Sequence, residues 1–231
     1  MIKVILWDID GTLLSFKQAE RAAIRACFDQ FGLGELTDEM LSKYSSINAT
    51  YWKRLELGEL TKPQVLRGRF EEFFAAYGLD TGCVDAFNAA YQVRLGETVV
   101  FNDNGKELVQ RFRGKVKQCA VTNGTLVAQR GKLKNSGLDQ LLDEVFISDV
   151  VGVEKPGIGF FDAVFAAIGH YEKDEVLIVG DSLTSDIQGG NNAGILCCWY
   201  NPAGETVPET LRVDYDIRNL NELIAIVGLE G

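Results

Sequence analysis

The stretch "IKVILWDIDGT", Ile2–Thr12, decides the fold. From Ile2 to Trp7 the residues are apolar except for Lys3 and rich in β-branched side chains, which is how a strand buried on both faces of a parallel sheet reads. The run stops on two carboxylates, Asp8 and Asp10, followed by Gly11 and Thr12. "VKQCAVT" ending at Thr122, "EVFIS" at Ser148, "EVLIVG" at Gly180 and "GILCCWY" near Tyr200 repeat the apolar pattern, with a helix-like stretch between each pair. That alternation predicts an α/β fold with a doubly wound, Rossmann-like parallel sheet.

The first two strands are separated by a long interruption whose apolar residues recur at helical spacing. "QAERAAIRACFDQFG" ends at Gly32, a C-cap; the next two helices open on Thr37 and Thr61, the second with Pro63 in its first turn; a fourth covers Val84–Leu95. The pattern predicts a small all-α domain, residues 16–98, inserted into a sheet domain made of residues 1–15 and 99–231.

Composition narrows the partners. A formal net charge of -10 over 231 residues repels a nucleic-acid polymer or an anionic membrane surface. Five cysteines without paired spacing point away from a disulfide framework or a zinc site and toward a reducing cytoplasm. Cys197 and Cys198 read as buried strand residues, and His170, the only histidine, as a polar residue at a helix end. The apolar start is too short to span a membrane, and no export signal is expected. Monomer and homodimer both stay open.

Ligands of open parallel sheets collect at the carboxyl ends of the strands. Standing there are Asp8 and Asp10, then Thr122 and Asn123, then Lys155 in "VGVEKPG", then Asp181, Ser182 and Asp186 in "GDSLTSD". Clustered carboxylates suit a hard dication such as magnesium, because two unit charges 4 Å apart repel by about 4 kcal/mol at a protein-surface dielectric. A lysine opposite them suits an anionic substrate. Thr122 and the amide of Asn123 can hold phosphate oxygens, although Thr122 also reads as a helix N-cap.

In this order, "DIDGT", "VTNGT", "EKP" and "GDSLTSD" resemble the four motifs of the haloacid dehalogenase superfamily of phosphohydrolases. The resemblance implies that Asp8 is the nucleophile forming an aspartyl phosphate and that Asp10 protonates the leaving oxygen, then activates water. It implies a magnesium ion held by Asp8, Asp10 and Asp181, with Thr122, Asn123 and Lys155 on the phosphate. Asp186 is either a fourth metal ligand or a partner of Lys155 or of a metal-bound water, and the inserted helices form a cap over the catalytic core. Gly11 lets the chain turn and Thr12 steadies the loop.

Further stretches, among them "YSSINATYWKRLELGELT", Arg69 with Phe70, "NSGL" and "CWYNP", resemble the pyrimidine 5'-nucleotidase subfamily, so a nucleoside monophosphate is the expected substrate. Tyr44, Asn48 and Trp52 recur every four residues on one helix face; they either read a base or pack the cap. Two rival functions remain. One is a sugar-phosphate phosphatase or phosphomutase on the same fold, and the other is a phospho-accepting signalling module, which a large insertion after the first strand opposes.

Overall fold

In the computed structural model, which describes residues 1–228, the strands are β1 (Val4–Trp7), β2 (Lys117–Thr122), β3 (Glu144–Ile147), β4 (Val176–Gly180), β5 (Leu196–Tyr200) and β6 (Tyr215–Ile217). They form one sheet in the order β3-β2-β1-β4-β5-β6, every neighbouring pair parallel. β1 is therefore interior, with β2 on one side and β4 on the other, which is why it tolerates no polar alternation. Its side chains divide between two cores. Ile5 and Trp7 join Leu108, Phe112 and Leu223 on one face, while Val4 and Leu6 join Phe160, Phe161 and Ile187 on the other.

The chain builds outward from β1 through β2 to β3, then returns to β4 and builds the opposite way. The strand order reverses beside the end of β1, which opens a crevice where Asp8 and Asp10 stand. The α/β class and the inserted helical cap are as the sequence predicts. The short β6 and the eight-residue helix Gly105–Phe112 were not anticipated: three residues and two turns are too little for periodicity to register.

Four helices make the cap: α1 (Phe16–Phe31), α2 (Asp38–Glu56), α3 (Lys62–Ala76) and α4 (Val84–Leu95). Gly32 caps α1 in the left-handed conformation, the Thr37 hydroxyl accepts from the Met40 amide, and Thr61 forms a capping box with Gln64. The cap has its own core, dominated by rings: Phe70 lies 5.1 Å and Phe74 5.0 Å from Phe87, both edge-on. The two crossings between cap and sheet run side by side, with the Ser15 amide donating to the Val100 carbonyl at 2.8 Å. After β2 comes α5 (Leu126–Ser136), capped by Thr125, and it packs against α4. Gly96 and Gly131 make that approach possible; a Cβ on Gly96 would lie 2.9 Å from the Gly131 Cα.

Candidate active site

Lys155 anchors the site. Only 1% exposed, its ammonium donates to Asp8 Oδ1 at 2.9 Å, to Asp186 Oδ1 at 2.6 Å and to the Val121 carbonyl at 2.7 Å. All three of its protons are thus taken by the protein. The two acid neighbours hold the ammonium well above its ordinary range against the opposing effect of burial. Asn123 fixes the lysine from behind: its side-chain amide donates to the Lys155 carbonyl and accepts from the Lys155 amide, both at 2.8 Å.

Three acids face one point. Oxygens of Asp8, Asp181 and Asp186 all lie within 4.8 Å of one another. Burial, then the Asp186 and Asp10 charges, push the Asp8 carboxyl up to about 7 despite Lys155. Asp181 opens onto the cavity, yet loss of bulk water and the Asp8 and Asp186 charges push it well up too. Asp186 has one oxygen on Lys155 and accepts from the Ser182 amide at 3.1 Å with the other. Asp8 Oδ2, by contrast, is buried with no hydrogen-bond partner. An orphan carboxylate oxygen beside two further carboxylates and one saturated ammonium is a donor set short of positive charge, so the residues fit a hard dication.

Asp10 lies outside that cluster. Its carboxylate accepts from Gln129 at 2.6 Å and pairs with the buried Lys132, both on α5. The sequence names Asp10 with the metal residues; in the structure its carboxylate is turned toward these two residues. Gln129 and Lys132 escaped sequence reading because a glutamine and a lysine in a helix look like solvated surface, although their three-residue spacing already put them on one face.

The other loop residues fall into place. Gly11 has φ of 99°, and a Cβ there would sit 2.4 Å from Asp181 Oδ2, so glycine is required by the backbone and by the approaching acid. The Thr12 hydroxyl donates to Asp181 Oδ1 at 3.1 Å, which ties the first loop to the fourth. Thr122 is buried and accepts from the Gly124 amide; the helix N-cap is Thr125, so the capping role read for Thr122 belongs three residues on.

Above the acids, between the cap and the strand ends, lies a cavity of about 390 Å³. Phe16, Glu20, Ser45, Asn48, Trp52 and Glu56 line its cap side. Burial raises the Glu20 and Glu56 carboxyls despite their hydrogen-bond donors. Glu56, at the end of α2, accepts from Ser182 at 3.3 Å and from Thr184, so the cap touches the loop that carries Asp181. Tyr44 does not reach this cavity. It stacks 5.2 Å from Phe70 in the cap core, so of the stripe only Asn48 and Trp52 line the cavity. His170 is exposed beside Glu172, and Cys197 and Cys198 are buried in β5. No helix among the described residues is long and apolar enough to cross a membrane.

Comparison with known proteins adds the lineage. Residues 2–194 match the family profile described as haloacid dehalogenase-like hydrolase. A Bacillus subtilis protein named as the HAD-hydrolase YfnB is 34% identical over 99% of this chain and 97% of its own. Its crystal structure, titled as bound to magnesium and revealing interdomain movement, superposes with a TM-score of 0.90, covering 98% of both chains. The pyrimidine 5'-nucleotidase PynA of Streptococcus pneumoniae is 34% identical over 87% of this chain and 84% of its own; YjjG of Escherichia coli, of the same name, is 30% identical over 95% of each. The chain belongs to the haloacid dehalogenase-like hydrolases, and it is a phosphatase.

Proposed function

We propose that this phosphatase is a magnesium-dependent phosphomonoesterase of the cytoplasm that hydrolyses nucleoside 5'-monophosphates through an aspartyl phosphate on Asp8. The single observation that carries the reading is the Asp8 carboxylate: one oxygen is held by Lys155, the other is buried and unpartnered, and the group stands in one cluster with Asp181 and Asp186. A group so placed is aimed rather than merely buried. The names of PynA and YjjG support the nucleotide, and residues 16–98 serve as the cap that selects it.

Asp8 and Asp181 would hold the magnesium ion, with Asp186 beside them. When bound, the ion offsets the charge of the carboxylates and of the incoming phosphate. Asp8 attacks phosphorus, forming an oxygen–phosphorus bond as the ester oxygen leaves, and Asp10 gives that oxygen a proton. Water then attacks the aspartyl phosphate, Asp10 takes its proton, and phosphate departs with Asp8 restored as a carboxylate. Lys155 keeps the nucleophile oriented and its charge compensated, and Asp186 keeps Lys155 in place. Thr122, whose oxygen already accepts from Gly124, donates its proton to the phosphate, and the backbone amide of Asn123 adds a second donor. The rim contributed by the cap excludes water from the first step.

Phosphate release from nucleoside and sugar monophosphates tests this, with magnesium and with EDTA. Nucleotides are expected to lead, and chelation to abolish turnover. Asp8→Asn should lower kcat by about 10³-fold or more, the usual scale for removing a covalent nucleophile. Residual activity of a few per cent in that variant would remove Asp8 from the nucleophile's role.

A further inference from the structure

A second buried charge system stands in the cap, and the chemistry just described has no use for it. Arg69 is 1% exposed, its guanidinium 4.8 Å from the centre of the Phe70 ring, 5.2 Å from Tyr91 and 6.0 Å from Trp52. Arginine can only donate, and Arg69 donates to Asn48 Oδ1 at 2.6 Å. That bond settles which end of the Asn48 amide is oxygen. The Asn48 nitrogen must then face Glu20, and it donates to Glu20 Oε1 at 2.8 Å. The Ser45 hydroxyl donates to the other Glu20 oxygen.

The directions that follow are fixed. Ser45 has given its proton to Glu20 and presents lone pairs alone; Asn48 has its oxygen on Arg69 and presents one remaining N–H; Glu20 presents spare lone pairs. All three line the cavity, with the flat rings of Phe16 and Trp52 beside them. A carboxylate on this wall repels phosphate, so it addresses the uncharged end of the substrate. A sugar hydroxyl can also donate to Glu20, but it turns to donate or accept as needed and makes no use of the fixed acceptor–donor order of Glu20 and Asn48. A nucleobase edge, whose N–H and carbonyl or ring-nitrogen groups are fixed side by side, gains most. Its flat ring also suits aromatic walls.

We propose that Glu20, set by Ser45, Asn48 and Arg69, is the specificity-determining residue of this phosphatase: it accepts an N–H from the nucleobase while Asn48 donates to the neighbouring acceptor. The proposal rests on the nucleotide reading above and deepens it. Glu20→Gln keeps the size, but Ser45 and Asn48 donate to different Glu20 oxygens, so the new NH2 deprives one of them of its acceptor and sets a donor where the base met an acceptor. kcat/KM is measured for the four common ribonucleoside 5'-monophosphates, ribose 5-phosphate and p-nitrophenyl phosphate. The preference for the best nucleotide over ribose 5-phosphate is expected to fall by about tenfold or more, chiefly through KM, the scale for a buried polar group left mismatched. Ser45→Ala, at a half-buried position, should move the same ratio the same way by a smaller factor, and it carries the test if Glu20→Gln does not fold. Equal losses on nucleotide and ribose 5-phosphate in the folded variants would overturn the proposal while leaving the nucleotide reading intact. A wild-type enzyme with no preference for any nucleotide over ribose 5-phosphate would overturn that reading, and this proposal with it.

Discussion

Two buried clusters, one beneath the cavity and one above it, each set a single buried cation against buried acid, and they balance differently. Below, Lys155 serves Asp8 and Asp186 with Asp181 close by, three carboxylates to one ammonium, and one Asp8 oxygen is left over. Above, Arg69 reaches the single carboxylate of Glu20 through Asn48, whose side chain is held at both ends. The lower cluster is short of positive charge and the upper one is even. Charge deficit marks the place that takes a cation, whereas an even balance marks a surface prepared for a neutral ligand.

The largest effect expected from this contrast is on stability. Lys155→Met strands two buried carboxylates and should cost about 3–5 kcal/mol, the range for breaking one side of a buried ion pair. Magnesium should return part of that loss, since the dication takes over the compensation. Arg69→Met should also destabilise, by about 2–3 kcal/mol for lost charged hydrogen bonds, but with no recovery in magnesium. Thermal unfolding of both variants with EDTA and with magnesium decides it. Rescue of both, or of neither, would erase the distinction between the clusters.

A smaller effect separates the clusters by pH. In the folded chain the Asp8 carboxyl is raised from an ordinary value of 3.8 to about 7, with Asp181 and Asp186 shifted the same way. Between those values the folded state binds more protons than the unfolded one, so stability falls as pH rises from about 4 to 7. Glu20, raised by burial, contributes in the same direction. Magnesium favours the ionised acids of the lower cluster and should flatten their share of the slope, leaving that of Glu20. A Tm in EDTA that climbs between pH 5 and pH 7 would contradict the charge deficit.

The lower cluster could be read in the sequence and most of the upper one could not. Interior parallel strands are uniform apolar runs, and the residues that end them are brought together by topology, so Asp8, Lys155, Asp181 and Asp186 were legible from position. Glu20 left a fainter mark. It lies within an otherwise apolar arc of α1, with Ala19, Ala23, Ile24, Cys27 and Phe28, all buried, and a charge inside such an arc is itself a signal. Arg69 was marked only by standing beside Phe70 in the resemblance, and Lys132 only by its spacing from Gln129, because a long basic side chain on a helix ordinarily reaches water. The direction of the Asp10 carboxylate depends on α5, more than a hundred residues away in the chain, and no local pattern encodes it.

The stripe of Tyr44, Asn48 and Trp52 offers the finest test, since it crosses from the cap's interior to the cavity. Four residues of α-helix turn through about 400°, so each step drifts by about 40° and the three residues spread over about 80° of the helix surface. One end of the stripe therefore enters the aromatic core while the other meets the ligand. Tyr44 packs by its ring, 5.2 Å from Phe70 and 5.3 Å from Phe73, and Tyr44→Phe keeps that ring. The change should alter stability by less than about 1 kcal/mol and leave the ratio of nucleotide to ribose 5-phosphate turnover where it was. Trp52→Leu, at the other end, should lower that ratio severalfold by removing a flat wall of the cavity, with the loss in KM. If Tyr44→Phe moves the ratio as far as Trp52→Leu does, the boundary between scaffold and reading surface does not run between these residues, and the upper cluster must be counted as one packed unit.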